Sequence, residues 1–90
     1  MKESEIEQLL VKKVKQQGGM CLTWISTITG VPDRIVILNK NLRFVELKTR
    51  EGVLSERQKV VFADLERQGF PVTVVRSQSD IEELLGQMLS

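Results

Sequence analysis

Histidine is absent from this 90-residue sequence, and Cys21 is its only cysteine. Without histidine the chain has no Ser-His-Asp or Cys-His catalysis, no histidine-ligated zinc and no imidazole proton shuttle at neutral pH. A single cysteine excludes an internal disulfide and a cysteine-based metal cluster. Any catalysis must therefore come from carboxylates and lysines, aided where needed by a hard metal ion.

The sequence also has no apolar run near the roughly 20 residues that a membrane-spanning helix needs. Its first five residues (Met-Lys-Glu-Ser-Glu) are too acidic and polar for a secretory signal peptide. Hydrophobic residues make up 41% and charged residues 28% of the chain, which is ordinary for a globular protein and argues against disorder. We expect a soluble, cytoplasmic protein without a membrane partner, folded as one domain over residues 1–90.

Positive charge is concentrated in the first half of the chain. Residues 1–50 contain nine Lys and Arg against five Asp and Glu, whereas residues 51–90 contain four against seven. A basic half is suited to contact phosphate groups, but an excess of this size is more often only a solvated surface of mixed charge. The charge distribution alone does not identify a partner.

The spacing of apolar and capping residues predicts three helices. Apolar residues at three- and four-residue intervals predict an amphipathic helix over residues 4–17. Ser55 followed by Gln58 is typical of a capping box at the start of a second helix, and Ser79 followed by Glu82 predicts the same for a short last helix.

Four strands complete the predicted fold. A rise in β-branched and aromatic residues over 20–28 predicts a strand that runs into a loop. The apolar runs 34–38 and 42–47 flank an asparagine-rich turn typical of a β-hairpin, and residues 71–75 predict a buried strand. The second helix is long enough to form a crossover, which would make the third and fourth strands parallel. We therefore predict an α/β fold in the order αβββαβα, with a mixed β-sheet flanked by helices.

Three charged residues occur where a structural strand would not need them. Asp33 follows a Gly-Val-Pro turn, and Glu46 and Lys48 alternate with apolar residues in the third strand. Since side chains alternate between the faces of a strand, Glu46 and Lys48 point the same way. A hairpin loop at 39–40 places Asp33 opposite Glu46, and a loop at 40–41 places it opposite Lys48. Either register brings the three groups to one face, whereas a three-residue loop without a bulge sends Asp33 to the other face.

Two carboxylates at such a distance repel each other unless one takes up a proton or a cation lies between them. Oxygen ligands without histidine or cysteine favour Mg²⁺ or Mn²⁺ over zinc. Such an ion activates water, and Lys48 beside it would orient that water or stabilise charge on a phosphate. This arrangement suits phosphodiester hydrolysis. The structural alternative is that Asp33 caps a turn while Glu46 and Lys48 form a salt bridge on a solvated edge.

The segments 30–33 (Gly-Val-Pro-Asp), 46–48 (Glu-Leu-Lys) and 55–58 (Ser-Glu-Arg-Gln) together resemble the PD-(D/E)XK nuclease signature. Their spacing is similar to that of the VRR-NUC (virus-type replication-repair nuclease) family, which is similar to archaeal Holliday junction resolvases. The resemblance covers nearly the whole chain. It implies a restriction-endonuclease-like fold, Mg²⁺- or Mn²⁺-dependent cleavage of structured DNA, and a homodimer acting on four-way junctions. Stand-alone members of this kind look like phage-type domains.

The resemblance also implies roles for individual residues. Asp33 and Glu46 would be metal ligands together with the backbone carbonyl of Leu47, and Lys48 would be the catalytic lysine. Gln58 either closes its capping box or reaches the attacking water or the scissile phosphate.

Family members carry in addition a glutamate on the first helix that approaches the metal. Glu3 and Glu7 both match here, with a slight preference for Glu3, and the alternative for each is a solvated carboxylate at a helix start. Among the basic residues, Arg34, Arg50 and Lys12 are candidate phosphate contacts. If no cleavage occurs, the chain is a non-catalytic nucleic-acid-binding module of the same fold or, as a third reading, a small protein-interaction domain.

Overall fold

The computed structural model describes all 90 residues and shows the predicted order αβββαβα. Most element bounds lie within one or two residues of the predicted ones. In the segment 20–28, which was predicted as a strand that runs into a loop, the strand ends at Thr23 and the loop follows. The elements are α1 (Glu3–Gln16), β1 (Met20–Thr23), β2 (Arg34–Leu38), β3 (Asn41–Leu47), α2 (Glu56–Arg67), β4 (Val72–Val75) and α3 (Gln78–Leu89).

The four strands form one mixed sheet in the order β1-β2-β3-β4. β1, β2 and β3 pair in antiparallel fashion, and β4 lies parallel to β3. A parallel neighbour requires a crossover, which α2 provides. The α/β fold with a mixed sheet flanked by helices is therefore confirmed.

The β2–β3 hairpin has the first of the two predicted registers. Leu38 pairs with Asn41, so the loop consists of Asn39 and Lys40, with φ angles of 52° and 64°. Two positive φ angles are typical of the type I′ turn, whose twist matches that of the flanking strands. The side-chain amides of Asn39 and Asn41 also donate to the carbonyl of Met88, at 3.0 and 2.9 Å. The turn thereby satisfies a carbonyl at the C-terminal end of α3.

One face of the sheet carries the hydrophobic core. α1 and α3 contact each other and pack on this face, and β2 and β3 contribute alternate residues to it. This alternation is the reason why Val45 and Leu47 are buried here while Glu46 points to the opposite side. The core consists of Ile6, Leu10, Val14, Val36, Leu38, Val45, Leu47, Val75, Ile81, Leu84, Leu85 and Met88.

The opposite face is only partly covered. α2 buries Val61 and Phe62, and an aromatic row follows in which Trp24 lies 4.9 Å and Phe70 6.2 Å from Phe44 between ring centroids. Apolar side chains towards β1 remain exposed on this side. The sheet thus has one sealed face and one open face, and the open face is the one to which Glu46 points.

The start of α3 differs from the prediction. Ser77, and not Ser79, is the N-cap residue, and its hydroxyl accepts a hydrogen bond from the amide of Asp80 at 3.2 Å. Glu82 accepts a hydrogen bond from the side-chain amide of Gln78, at 3.1 Å. The reason is that Ser77 and Asp80 have the same three-residue spacing as Ser79 and Glu82 and come first after β4.

None of the three helices combines the length and apolar character required to cross a lipid bilayer.

Replacement of Lys40 by glycine should stabilise the protein. Lys40 is exposed and has φ +64°, a left-handed conformation that costs a non-glycine residue about 1 kcal/mol. We expect Lys40→Gly to raise the free energy of unfolding by about 0.5–1 kcal/mol in urea titrations. Lys40→Ala is the control, because it removes the lysine and keeps the strain. Equal stabilities of the two variants would contradict the prediction.

Candidate active site

Asp33 and Glu46 lie opposite each other at the edge of the β2–β3 hairpin. Arg34 pairs with Val45. Asp33 precedes Arg34 by one residue and Glu46 follows Val45 by one residue, so the same register places Asp33 opposite Glu46. At this position the negative charge of Asp33 raises the pKa of the Glu46 carboxyl. Two carboxylates therefore share one end of the open face, as the register predicted.

The Glu46 carboxylate is buried, with 1% of the residue exposed. One of its oxygens, Oε2, accepts a hydrogen bond from the side-chain amide of Gln58 at 2.8 Å and lies 3.3 Å from the ammonium of Lys48. The other, Oε1, is buried and has no hydrogen-bond partner. A buried carboxylate oxygen without a partner is costly, and such an atom is typical of a position with a functional role or one that binds water or an ion.

Burial raises the pKa of Glu46 above its ordinary value, and the neighbouring carboxylate of Asp33 raises it further. The charge of Lys48 and the hydrogen bonds from Lys48 and Gln58 act in the opposite direction but do not cancel the rise. Perturbation by desolvation together with specific charge partners is typical of functional carboxylates.

Asp33 is held in place from two directions. Its Oδ2 accepts a hydrogen bond from the backbone amide of Leu47 at 3.0 Å, which ties the residue to the end of β3. The loop that leads to it packs against the start of α2, where Arg57 donates to the carbonyl of Thr29 at 3.3 Å. Gly30 has φ +91°, and a Cβ there would lie 2.9 Å from the Arg57 side chain, so the close approach of loop and helix requires glycine.

Gln58 forms its predicted capping box and also contacts Glu46, a contact that the sequence did not predict. Its Oε1 accepts from the amide of Ser55 at 2.9 Å, and the Ser55 hydroxyl accepts from the amide of Gln58, which forms the predicted capping box. Its Nε2 is then left to donate to Glu46. The side chain contacts the Glu46 carboxylate, and the helix cap determines its orientation.

Lys48 follows directly after β3. Its backbone amide donates to the carbonyl of Val75 at 3.1 Å, which continues the parallel pairing by one step, and 18% of its side chain is exposed. The ammonium thus lies between the solvent and the buried Glu46 carboxylate.

The two helix glutamates lie elsewhere. Glu3 is exposed in the first turn of α1, whereas Glu7 accepts a hydrogen bond from the guanidinium of Arg34 at 3.1 Å. Arg34 shares a face with its partner Val45, the side on which α1 packs. The structure therefore pairs Glu7 with Arg34 and shows neither glutamate in a metal cluster with Asp33 and Glu46, since no group of three such ligands is present.

The remaining predicted DNA contacts are accessible, since both Lys12 and Arg50 are exposed. Cys21 is half-buried on β1, and its burial, together with the charge of Glu7, raises the pKa of the thiol although Arg34 opposes the rise. A thiol with a raised pKa is a poor nucleophile near neutral pH.

Sequence reasoning missed Arg76. Its guanidinium donates to the carbonyls of Thr49, at 2.9 Å, and of Gly52, and so holds the turn that follows Lys48. Only a single basic residue after a strand was visible in the sequence, and no local pattern connects it to residues more than twenty positions away.

The chain is similar to known proteins in sequence and in fold. The family model described as the VRR-NUC domain matches residues 2–79. A solved structure titled "VRR_NUC domain" has a TM-score of 0.84 and 23% sequence identity, and the alignment covers 93% of this chain and 94% of that one. At this identity the likeness establishes a common fold. Among curated proteins none matches the sequence. Since the family match spans most of the chain, the chain belongs to the VRR-NUC family of nuclease domains.

Proposed function

We propose that the chain is a metal-dependent, structure-selective DNA endonuclease, a homodimer that hydrolyses phosphodiester bonds of four-way junctions. The observation that carries the proposal is the buried carboxylate of Glu46, with one unpartnered oxygen, opposite Asp33 and beside Lys48. Membership of a nuclease family agrees with this chemistry. The preference for junctions rests on the resemblance to resolvases.

The donor set fits a hard divalent cation. Asp33 and Glu46 provide two carboxylates, and Mg²⁺ is commonly held by one or two carboxylates while it retains several waters. Oε1 of Glu46 is buried and unpartnered, and Oδ1 of Asp33 is not used in the hydrogen bond to Leu47. A cation between the two acids would satisfy the orphan oxygen and relieve their repulsion. We propose Asp33 and Glu46 as the ligands of Mg²⁺ or Mn²⁺, with the Leu47 carbonyl as a third.

When bound, the cation supplies Lewis acidity that makes water nucleophilic near neutral pH and neutralises charge on the phosphate. The protein's own side chains would bind the cation and orient the groups around the phosphate. Lys48 provides a positive charge 3.3 Å from Glu46 Oε2, where it would stabilise the charge that develops on the phosphate during an in-line attack. Family resemblance suggests that the cut leaves a 5′-phosphate.

Gln58 supports this chemistry by orienting Glu46. Its amide occupies Oε2, so Oε1 is the oxygen that remains for the cation. Its predicted contact with the attacking water or the scissile phosphate stays a prediction; Nε2 donates one hydrogen to Glu46, and such a contact would need its second hydrogen.

Phosphate contacts are proposed for Arg50 and Lys12, which are exposed. Arg34 is a weaker candidate because its guanidinium is already paired with Glu7. A role for Glu3 or Glu7 at the metal stays a prediction, and for Glu7 it would require release of Arg34.

The open face of the sheet supports a homodimer. Met20, Leu22, Leu42 and Phe70 on this face are each between 39% and 54% exposed. Contiguous exposed apolar surface of this kind marks an interaction site, and a chain of 90 residues buries only about 60–65% of its unfolded surface when alone. Two symmetric cuts in a four-way junction also require two active sites, which a two-fold axis supplies.

Loss of the Asp33 carboxylate should abolish cleavage. We expect Asp33→Asn to reduce the cleavage rate of a labelled four-way junction by about 10²-fold or more, because the cation loses a ligand, while DNA binding in gel shifts persists. Lys48→Ala should also reduce the rate strongly.

The matched control for this test is Asp64→Asn, which removes an exposed carboxylate from α2. This variant should cleave the junction at the wild-type rate with Mg²⁺ or Mn²⁺. The wild type should cut linear duplex and flap substrates more slowly than the four-way junction. Cleavage by Asp33→Asn at the wild-type rate would refute the site. DNA binding without any metal-dependent cleavage, in the wild type as in Lys48→Ala, would identify a non-catalytic binding module.

The raised pKa of Glu46 predicts how stability changes with pH in the absence of metal. Between the ordinary pKa and the raised one, the folded state binds more protons than the unfolded state. The favourable contribution of Glu46 to the free energy of unfolding is therefore present at low pH and is lost as pH rises through the raised pKa. Urea titrations in a chelator should show that Glu46→Gln gains stability relative to the wild type as the pH rises from about 4.5, the ordinary value, through the raised pKa.

Addition of Mn²⁺ at pH 7 should then raise the Tm of the wild type and not that of Glu46→Gln. A constant stability difference across this pH range, or an equal Mn²⁺ effect on both proteins, is the result that speaks against the metal site.

Dimerisation should depend on the open face. In analytical ultracentrifugation we expect a dimer for the wild type and a monomer with unchanged circular dichroism for Leu22→Lys, because a lysine on this edge strand opposes association. Leu89→Lys is the control, since Leu89 is exposed to a similar extent, 43% against 39%, but lies at the end of α3. A dimeric Leu22→Lys variant would exclude this face as the interface.

A further inference from the structure

The turn that follows Lys48 is clasped by a distant arginine. Arg76 Nη1 donates to the carbonyl oxygens of Thr49, at 2.9 Å, and Gly52, with the carbonyl of Arg50 at 3.5 Å. The turn has only one backbone hydrogen bond of its own, from the amide of Gly52 to the carbonyl of Thr49 at 3.1 Å. Three carbonyls that converge on one guanidinium would be left without this donor if Arg76 were absent.

Arg76 is itself fixed to the scaffold. It follows β4 directly, where Val75 pairs with Leu47. Its backbone amide donates to Asp80 Oδ2 at 2.8 Å, and Asp80 belongs to the cap of α3. Arg76 therefore connects the turn to the end of β4 and to the start of α3.

The clasped turn lies against the side chain of Lys48. A Cβ built on Gly52 would lie 3.5 Å from Cδ of Lys48, so the end of the turn runs beside the aliphatic part of the lysine. The ammonium of the same lysine is 3.3 Å from Glu46 Oε2. A lysine side chain has many rotamers in solution, and the turn restricts them where the charge is needed.

We propose that Arg76 is a positioning residue for Lys48, which it orients by holding the 49–52 turn against the lysine side chain. The inference rests on the proposed function in so far as Lys48 takes part in cleavage. Arg76 does not touch Asp33 or Glu46, so it acts on the geometry of the ammonium and leaves the binding of the cation alone.

The test compares Arg76→Gln, Arg76→Lys and the control Arg67→Gln, which removes an exposed arginine from α2. In Arg76→Gln the amide hydrogen of Gly52 should exchange about tenfold faster, because the turn opens. The kcat for junction cleavage should fall about tenfold or more, since small displacements of a catalytic group are expensive. KM and the calorimetric Mn²⁺ affinity should stay within about twofold. Arg76→Lys, which retains one donor group, should recover part of the kcat and of the protection of Gly52, and Arg67→Gln should match the wild type.

A rise in KM with unchanged kcat would overturn the proposal, because Arg76 would then act in DNA binding. Unchanged exchange at Gly52 would overturn it as well. If Arg76→Gln does not fold, Arg76→Lys decides: wild-type kcat and exchange in that variant refute the clasp, and a partial loss of both supports it. Absence of cleavage by the wild type would instead refute the proposed function, and the exchange of Gly52 would still report whether the clasp holds the turn.

Discussion

The buried carboxylate of Glu46 is the group around which the site is arranged. A charge with 1% exposure is costly in a protein interior, yet Glu46 lies near the end of β3 between Val45 and Leu47, which both belong to the core. One oxygen is compensated by Gln58 and Lys48, and the other is left without a partner. Burial and the neighbouring Asp33 raise the pKa of Glu46, and Lys48 and Gln58 offset this rise only in part. The unpartnered oxygen is the position at which we propose that a cation binds.

The two faces of the sheet divide stability and chemistry between them. α1 and α3 seal one face with a core of twelve apolar residues, which is where a chain of this size gains most of its hydrophobic stabilisation. α2 covers the other face only in part and brings its N-terminus, with Gln58, to the Glu46 carboxylate. Because the sealed face maintains the fold, the open face tolerates buried charge and exposed apolar surface.

Two contacts show how one group can serve structure and site together. The side-chain amide of Gln58 closes a helix cap with its oxygen and orients Glu46 with its nitrogen. Arg76 donates hydrogen bonds to the carbonyls of the 49–52 turn, and this turn runs beside the side chain of Lys48. In both cases a residue with a clear structural function also restricts the geometry of a charged side chain, so neither function excludes the other.

Local sequence patterns predicted the order of elements and the hairpin, because these depend on periodicity and turn chemistry. The alternation of side chains along a strand predicted a common face for Asp33, Glu46 and Lys48, on condition that the hairpin loop has two residues. The bounds of β1 and the cap of α3 were less predictable, since several local patterns competed there. The folded structure was needed to choose the hairpin register and to show that Glu46 is buried. It was also needed to show that Glu7 pairs with Arg34 and that Arg76 contacts the turn after Lys48. These depend on long-range packing, and residues distant in sequence leave no local pattern that reveals their contact.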